Sequence, residues 1–367
     1  MASGERPHLR GDFEIAIICA LQIEADAVQA MFDGFWDEDE DNSYGKAAGD
    51  PNAYTTGWIG RHNVVLAHMP GMGKSESASV ATSFRSSFSG IRLGLVVGIC
   101  GGVPSMVEEG KEMLLGDVVI STGIVQFDFG RQYSNGVVQK DTPDENLGRP
   151  NKEIRAFLQM IKGMRGYKQL KDNSLVYLKK LCEKDDFEAW KYPGASEDIL
   201  YQSTYRHKHQ QAEACSVCAS CKSKEDEVCE GALESSCTEL KCDNKEQVGR
   251  DRLRNIKTAN ISGEAKTLPT PEIHFGRIAS GDLVMKSGSH RDDIAEKRKV
   301  IAFEMEGAGV WDNLPTVVMK GVCDYADSHK NKKWQKYAAA SAAACMKSFL
   351  RVWIPIDRQP GIPAASK

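Results

Sequence analysis

Short apolar segments alternate with amphipathic segments near both ends of this chain, whereas its middle is polar and rich in lysine. The apolar segments contain many β-branched residues, which is typical of buried strands, and they cover residues 13–20, 93–97, 116–121, 300–303 and 317–322. Helical spacing of apolar residues follows at 21–32, and an alanine-rich segment at 333–352 predicts a long terminal helix. Strands and helices that alternate in this way predict an α/β fold with a mixed or parallel sheet flanked by helices.

Two further patterns complete the first part of the predicted fold. Residues 53–59 and 63–69 are expected to form a hairpin that turns through Gly60 and Arg61. The glycine turn in PGMGKSESA then opens a helix. Its GMGKS string is not a phosphate-binding P-loop, because His68 stands where that motif needs its first glycine.

The polar middle of the chain, at about 142–271, is interpreted as an insertion into the main domain. It contains two amphipathic patches that predict helices, at 151–164 and 173–184. One domain is therefore expected at 13–355, between a flexible N-terminus at 1–12 and a C-terminal tail at 356–367.

The candidate chemistry is concentrated in residues 301–328, where two pairs of acids each follow a short apolar run. These pairs are Glu304 with Glu306 and Asp324 with Asp327. Because an unpaired carboxylate in a dry interior is costly, acids at the ends of buried strands are expected to face a cleft. In an extended strand Glu304 and Glu306 would project to one side, which suits the binding of a vicinal diol. Asp324 would lie at the edge where open α/β sheets place ligands.

Composition and charge exclude several classes of function. The 367-residue chain contains 47 basic and 51 acidic residues, and its formal net charge of −4 argues against general nucleic-acid or anionic-membrane binding. No apolar run approaches the roughly 18–20 residues of a membrane span, and the polar N-terminus lacks the apolar core of a signal peptide. We therefore expect a soluble cytoplasmic protein that binds neither nucleic acid nor membrane.

The cysteines raise the question of a metal site. There are eleven, an odd number that argues against a secreted disulfide scaffold, and six of them lie between residues 215 and 242. A tetrahedral zinc site would draw on Cys215, Cys218, Cys221 and Cys229, with Cys237 and Cys242 further on and His207 and His209 upstream. A second CxxC pair at zinc-finger spacing is missing, so a structural zinc site and a reduced loop without metal both remain open.

With these residues in view, the sequence resembles the purine/uridine phosphorylase superfamily, and within it the branch of methylthioadenosine/S-adenosylhomocysteine nucleosidases. It is also similar to fungal nucleoside phosphorylase-like domains. The resemblance covers about 13–135 and 270–352, and FEMEG followed by CDYAD is its most specific part. The matching segments are CALQIEAD, PGMGKSESA, VVGICGGV, GDVVIS, ASGDLVM, FEMEGAG and GVCDYADSHKN.

The resemblance implies a mixed sheet that curls into a distorted barrel surrounded by helices, and it implies a role for each matching residue. Glu306 would bind the ribose 2′ and 3′ hydroxyls, while Met305 packs on the sugar and Glu304 supports the strand end. Asp324 would protonate or hydrogen-bond purine N7, and Glu24 would activate the attacking water. Further substrate contacts are expected from Val284 and Met285, which would line the base, and from Ile99, Gly101 and Lys320.

The implied reaction is the hydrolysis of a purine nucleoside, most readily of the adenosine type, to free base and ribose, without a cofactor. The VVGICGG segment lacks the arginine that phosphorylases carry before their glycine turn, and Ile99 stands where a hydroxyl residue is usual. Glu24 would repel phosphate, and Lys320 takes the place of the usual arginine. Two alternatives remain: a phosphate-dependent purine nucleoside phosphorylase, and an immune-type module that senses or degrades a nucleoside or nucleotide. The family also implies a homo-oligomer, a dimer or a trimer.

Overall fold

The computed structural model describes residues 6–36, 44–104, 112–134, 136–140, 147–223, 226–261 and 269–354. The predicted C-terminal tail at 356–367 and the first five residues of the predicted N-terminal segment lie outside these ranges. None of the helices within them combines the length and the apolar character that crossing a bilayer requires.

The described strands form one large mixed sheet and a separate hairpin. In chain order they are β1 (Ile15–Cys19), β2 (Gly34–Phe35), β3 (Ala53–Ile59), β4 (His62–His68), β5 (Leu93–Gly102), β6 (Val118–Gln126), β7 (Gly130–Tyr133), β8 (Gly136–Gln139), β9 (Ile273–Ser280), β10 (Val300–Glu304) and β11 (Thr316–Asp324). The order in the large sheet is β10-β9-β6-β11-β5-β1-β4-β3-β2, and β7 pairs with β8.

Five strands of the large sheet close into a barrel, because β10 pairs with β5 as well as with β9. Ala302 and Phe303 of β10 lie opposite Gly102 and Gly101 of β5 in this closing pair. β5 runs parallel to β11 but antiparallel to β10, so the barrel mixes both orientations. The predicted mixed sheet that curls into a distorted barrel is thus confirmed.

Helices flank the sheet, as the α/β pattern predicted. They are α1 (Gln22–Gln29), α2 (Lys74–Ser87), α3 (Lys152–Lys162), α4 (Met164–Cys182), α5 (Ser216–Ser220), α6 (Glu230–Glu234), α7 (Asp251–Ile261), α8 (Gly288–Arg298), α9 (Gly307–Trp311) and α10 (Gln335–Val352). The predicted terminal helix, α10, is buried along most of its length and packs against β11 and β5. Its small side chains permit a close approach, since a Cβ at Gly321 of β11 would lie 1.9 Å from the carbonyl oxygen of Ala338.

One predicted helix differs clearly in extent, because α4 begins at Met164 and not near residue 173. Its first half is rich in polar residues, and this hides the helical periodicity in the sequence. Tertiary contacts satisfy those residues: the Tyr167 hydroxyl donates to Glu272 at 2.7 Å, and Lys171 forms an ion pair with the same carboxylate. Contacts of this kind cannot be read from local pattern alone.

The polar middle of the chain is joined firmly to the barrel. α3 and α4 place Ile154, Leu158 and Leu178 in the same apolar core as β1 and α10. Further along, the guanidinium of Arg252 in α7 binds both carboxylate oxygens of Asp117, which precedes β6, with 2.8 Å to Oδ1. The insertion therefore shares its packing and its ion pairs with the main domain.

A second buried connection reaches the segment that follows β11. Arg250 donates to Asp198 Oδ1 at 2.8 Å, and the hydroxyl of Tyr325 donates to the same oxygen at 2.8 Å. Arg250 also binds the Tyr325 hydroxyl. From α8, Arg291 donates to the Tyr325 carbonyl oxygen at 2.7 Å. Residues of the insertion and of α8 thus hold the CDYAD segment from two sides.

Candidate active site

Acidic residues from distant parts of the chain converge on one buried lysine beside β5. This group, called the acid cluster below, consists of Glu24, Glu304, Glu306 and Lys320. The Lys320 Nζ lies 2.8 Å from Glu306 Oε2 and 4.0 Å from a carboxylate oxygen of each of the other two glutamates. No more than 6% of any of these four side chains is exposed. The structure therefore brings together four residues that were predicted separately from their motifs.

Burial and charge oppose each other in the acid cluster. Desolvation by itself would lower the pKa of Lys320. The three surrounding carboxylates raise this pKa by more than desolvation lowers it, so that it lies well above the ordinary value. Burial raises the pKa of Glu24, and the nearby Lys320 offsets only part of that rise. The pKa of Glu304 is raised for the same reason. Lys320 is therefore a permanent cation, and Glu24 holds a proton more tightly than an exposed glutamate does.

Three backbone N–H groups hold the carboxylate of Glu24. Ala20 and Leu21 donate to its Oε2, both at 2.9 Å, and Ile99 donates to its Oε1 at 2.8 Å. The first two bonds cap α1, and the third joins this helix to β5. A Cβ at Gly98 would lie 2.0 Å from Glu24 Oε1, so the glycine leaves the space that the carboxylate occupies.

Glu304 and Glu306 have different positions and different partners. β10 ends at Glu304, and Glu306 has the helical angles φ −112° and ψ −33°, so the prediction that both project from one extended strand is wrong. The Glu304 carboxylate accepts hydrogen bonds from the backbone N–H groups of Glu306 and Gly307, at 3.0 and 2.9 Å. Glu304 thus stabilises the turn into α9, and this turn leaves Glu306 to pair with Lys320.

Asp324 ends β11, close to the glycine-rich part of β5. Its Oδ1 accepts a hydrogen bond from the Ala326 N–H at 2.8 Å, and its Oδ2 lies 3.2 Å from the Nζ of Lys330. A Cβ at Gly101 would lie 2.8 Å from Asp324 Oδ1, which explains the glycine opposite this acid. Asp327 lies 3.8 Å from Arg291 of α8.

The other predicted contacts surround these acids in different ways. Met305 is half-buried between the two glutamates. In the segment after β9, half of Val284 is exposed, while Met285 packs against an apolar group that includes Phe303 and Ala326. Ile99 and Gly101 act through their backbone, as described above for Glu24 and Asp324.

Three residues beside the acids were missed in the sequence. The Ser77 hydroxyl donates to the Glu306 carbonyl oxygen at 2.8 Å, and Ser280 Oγ accepts from the Ala308 N–H at 2.9 Å. Lys330 pairs with Asp324. Each lies inside a matching segment, namely PGMGKSESA, ASGDLVM or GVCDYADSHKN, but the spacing within a segment does not reveal a contact across the fold.

A large cavity lies elsewhere, between the insertion, β9, β10 and α8. It has a volume of about 780 Å³, and its walls include Tyr201, Arg250 and Arg291. Both arginines are engaged in the buried contacts to Tyr325. The acid cluster, by contrast, has three carboxylates for one cation. Surplus buried charge is the stronger indication of chemistry, so we place the candidate active site at the acid cluster and Asp324.

The cysteines proposed as zinc ligands are partly brought together. The sulfur atoms of Cys215, Cys218 and Cys229 lie within 4.8 Å of one another. Cys221 Sγ lies 3.9 Å from the carbonyl oxygen of Asp226. A second group of cysteine and histidine side chains, three from the insertion and one from the segment after β11, could also hold a metal ion.

Comparisons with known proteins bear on this fold and these motifs. A family model described as the phosphorylase superfamily matches residues 14–172. The chain is 31% identical over 97% of its length to a nucleotide-binding leucine-rich repeat (NLR)-like protein from Hyaloscypha variabilis. It is 35% identical over 26% of its length to the 5′-methylthioadenosine/S-adenosylhomocysteine nucleosidase of Mycobacterium bovis. The chain spans only 31% and 38% of the length of these two relatives.

A solved structure extends the comparison to the whole fold. The 5′-methylthioadenosine/S-adenosylhomocysteine nucleosidase of Helicobacter pylori aligns with 93% of this chain and 99% of its own, at a TM-score of 0.51 and 15% identity. At this identity the likeness concerns the fold. The family model over residues 14–172 and the 35% identity with the Mycobacterium bovis nucleosidase confirm the resemblance of this chain to the phosphorylase superfamily and to its nucleosidases.

Proposed function

We propose that this chain is a purine nucleosidase that hydrolyses the N-glycosidic bond of an adenosine-type nucleoside to free base and ribose. The acid cluster carries this proposal, with Asp324 at the end of the strand that contains Lys320. The reaction needs a group for the ribose hydroxyls, a base for water and an acid for the leaving purine. The identity shared with a nucleosidase over 104 residues supports the same class of reaction.

Three carboxylates would divide the steps of this reaction. Glu306 would accept hydrogen bonds from the ribose 2′ and 3′ hydroxyls, beside Met305. Glu24 would take a proton from water while the water oxygen bonds to C1′. The C1′–N9 bond breaks with its electron pair moving to the purine, and Asp324 supplies a proton at N7. The glutamates would also stabilise the positive charge that develops on the sugar.

The charge of the acid cluster favours water over phosphate as the nucleophile. Lys320 already pairs with Glu306, at 2.8 Å, and lies 4.0 Å from Glu24. The only cation in the acid cluster is thus already engaged, and three carboxyl groups surround it, so the cluster offers a phosphate dianion no free positive charge. Phosphorolysis, the first alternative, would need further cations around the sugar.

A sensing module is the second alternative, and one observation favours it. The NLR-like relative matches nearly the whole of this chain, but the chain corresponds to only 31% of that protein. As part of a larger protein, the same site would bind a nucleoside or nucleotide as a signal, with or without cleaving it. The buried surplus of carboxylates supports cleavage, because it is costly to maintain for binding alone.

Chromatography of reaction mixtures tests the proposal. The purified chain is incubated with adenosine, inosine, guanosine or methylthioadenosine, with and without phosphate. We expect equal release of free base in both conditions, fastest from an adenine nucleoside. Asp324→Asn should slow this release by about 10²–10⁴-fold, because the amide cannot supply an acidic proton. Asp172→Asn, an identical change in an exposed residue of α4, serves as the matched control.

The other outcomes of this experiment distinguish the alternatives. Base release only in the presence of phosphate, with ribose 1-phosphate as the product, would establish a phosphorylase. Calorimetric binding of adenosine without any release would establish a sensing module. The family resemblance also supports a homo-oligomer, a dimer or a trimer, and light scattering of the purified chain would measure its mass.

A further inference from the structure

Two histidines and two cysteines meet where the insertion touches the segment after β11. His207, Cys237 and Cys242 come from the insertion, and His329 follows the CDYAD segment. The Nδ1 atoms of the two histidines lie 3.2 Å apart. Cys237 Sγ lies 3.8 Å from the Nδ1 of His207 and 3.4 Å from that of His329. The corresponding distances for Cys242 Sγ are 3.8 and 4.0 Å.

These separations match the edges of a tetrahedron around a zinc ion. Zinc binds histidine nitrogen at about 2.0–2.1 Å and cysteine sulfur at about 2.3 Å, so neighbouring ligand atoms of a tetrahedral site lie roughly 3.3–3.8 Å apart. The five distances given above, from 3.2 to 4.0 Å, fall around that range. Four side chains thus present one ligand atom each to a common centre.

The hydrogen bonds of the two Nε2 atoms also indicate a cation between the Nδ1 atoms. His207 Nε2 lies 2.8 Å from the carbonyl oxygen of Ser235, and His329 Nε2 lies 3.3 Å from that of Tyr205. A carbonyl oxygen only accepts, so each Nε2 carries the proton and each Nδ1 keeps its lone pair. Two lone pairs that face each other at 3.2 Å repel unless a cation lies between them. A histidine that binds a metal through one ring nitrogen typically donates a hydrogen bond from the other nitrogen to a carbonyl or carboxylate oxygen.

We propose that His207, Cys237, Cys242 and His329 bind one structural zinc ion, which joins the insertion to the segment that carries Asp324. Two thiolates and two imidazoles form a ligand set that zinc prefers. With four protein ligands the site is closed, so its role is structural and not catalytic. The neighbour of His329 in the chain is Lys330, whose ammonium lies 3.2 Å from Asp324. The zinc ion would therefore fix the position of this cation.

This site differs from the zinc site considered from the sequence. That site was centred on Cys215, Cys218, Cys221 and Cys229, with Cys237, Cys242 and His207 named as further candidates. The ligand that the sequence did not indicate is His329, which comes from a motif far away in the chain. The three-thiol group of Cys215, Cys218 and Cys229 is a separate cluster. An experiment must therefore count the ions that depend on His329 and not the total alone.

Metal analysis of the purified full chain tests the proposal. After removal of loosely bound metal, we expect His329→Gln and Cys237→Ser each to contain one zinc ion per chain fewer than the unaltered protein. His209→Gln is the matched control, since His209 lies in the same insertion but outside the four-ligand group. His329→Cys should retain the ion, because a thiolate replaces the imidazole as ligand.

Cobalt substitution provides a readout that does not depend on stability. The unaltered protein should show the visible bands of tetrahedral cobalt with thiolate charge-transfer absorption, and His329→Gln should lose the contribution of one such site. Zinc content and cobalt spectra that are the same in His329→Gln and the unaltered protein would overturn the proposal. An unaltered protein that binds neither metal would overturn it as well. Neither measurement depends on the proposed nucleosidase activity.

Discussion

At the scale of single residues, Lys320 decides how the acids of the site can coexist. Its side chain is 1% exposed, and its ammonium group lies within 4.0 Å of three buried glutamates. Without it, three carboxylates would lie in a dry environment with backbone N–H groups as their main compensation. The nearby lysine also lowers the pKa of Glu24 and Glu304, which burial raises. Lys320 therefore stabilises the site as well as shaping its charge.

The first prediction concerns Lys320→Met. Methionine has a similar length but no charge, so three buried carboxylates would lose their cation. We expect the free energy of unfolding in urea to fall by about 3–5 kcal/mol, the usual cost of removing one partner of a buried ion pair. Lys333→Met removes a mostly exposed lysine that pairs with Glu197, and it should cost less than about 1 kcal/mol. Equal losses in the two variants would contradict this role of Lys320.

At the scale of elements, the packing of α10 on β11 holds the site strand in place. β11 carries both Lys320 and Asp324, and α10 covers it from outside with alanine side chains. The glycine between the two site residues, Gly321, allows this close contact. A larger residue would push the helix away or bend the strand, and either movement would reach the acid cluster.

The second prediction is therefore that Gly321→Ala destabilises the fold. The added Cβ would lie 1.9 Å from the Ala338 carbonyl oxygen, which belongs to the backbone and cannot rotate away. We expect a loss of about 1–3 kcal/mol or more in thermal or urea unfolding. Gly148→Ala, where nothing lies within 4 Å of the new Cβ, is the control and should be nearly neutral. A neutral Gly321→Ala would show that α10 is not packed as closely as described.

At the scale of the whole molecule, buried ion pairs join the insertion to the barrel. Asp117 accepts hydrogen bonds from Arg252 of α7, from His274 of β9, and from the N–H groups of Leu114 and Glu272. Burial raises the pKa of Asp117, but the hydrogen bonds from His274 and Arg252 outweigh burial and lower it. Asp117, just before β6, therefore joins α7 and β9 to the strand that follows it.

The third prediction is a pH dependence of stability that arises from Asp117. A carboxyl group with a lowered folded pKa stabilises the protein above its unfolded pKa of about 3.9, and this contribution is lost as the pH falls through the folded value. Urea unfolding between pH 3 and 7 should therefore show a steeper acid loss for the unaltered protein than for Asp117→Asn. The variant should also be less stable at pH 7. Asp172→Asn should leave the slope unchanged, and an unchanged slope in Asp117→Asn would contradict the assignment.

The sequence alone determined the order and type of most elements, because strands and helices have periodicities that a window of ten residues already contains. It also marked Glu24, Glu306 and Asp324 as candidate site residues, since they stand in motifs of fixed local spacing. The start of α4, in a half-polar segment, and the end of β10 before Glu306 were not predicted correctly from the sequence, because tertiary contacts override local preference there.

Only the tertiary structure decided which of these residues meet. Lys320 is the common partner of three glutamates, and the Glu304 carboxylate binds the backbone N–H groups at the start of α9. His329 lies with two cysteines and a histidine of the insertion. Each of these contacts depends on the register of the sheet or on the packing of the insertion. The local sequence pattern specifies neither the register of the sheet nor the packing of the insertion. Both are selected by burial and charge pairing between residues far apart in the chain.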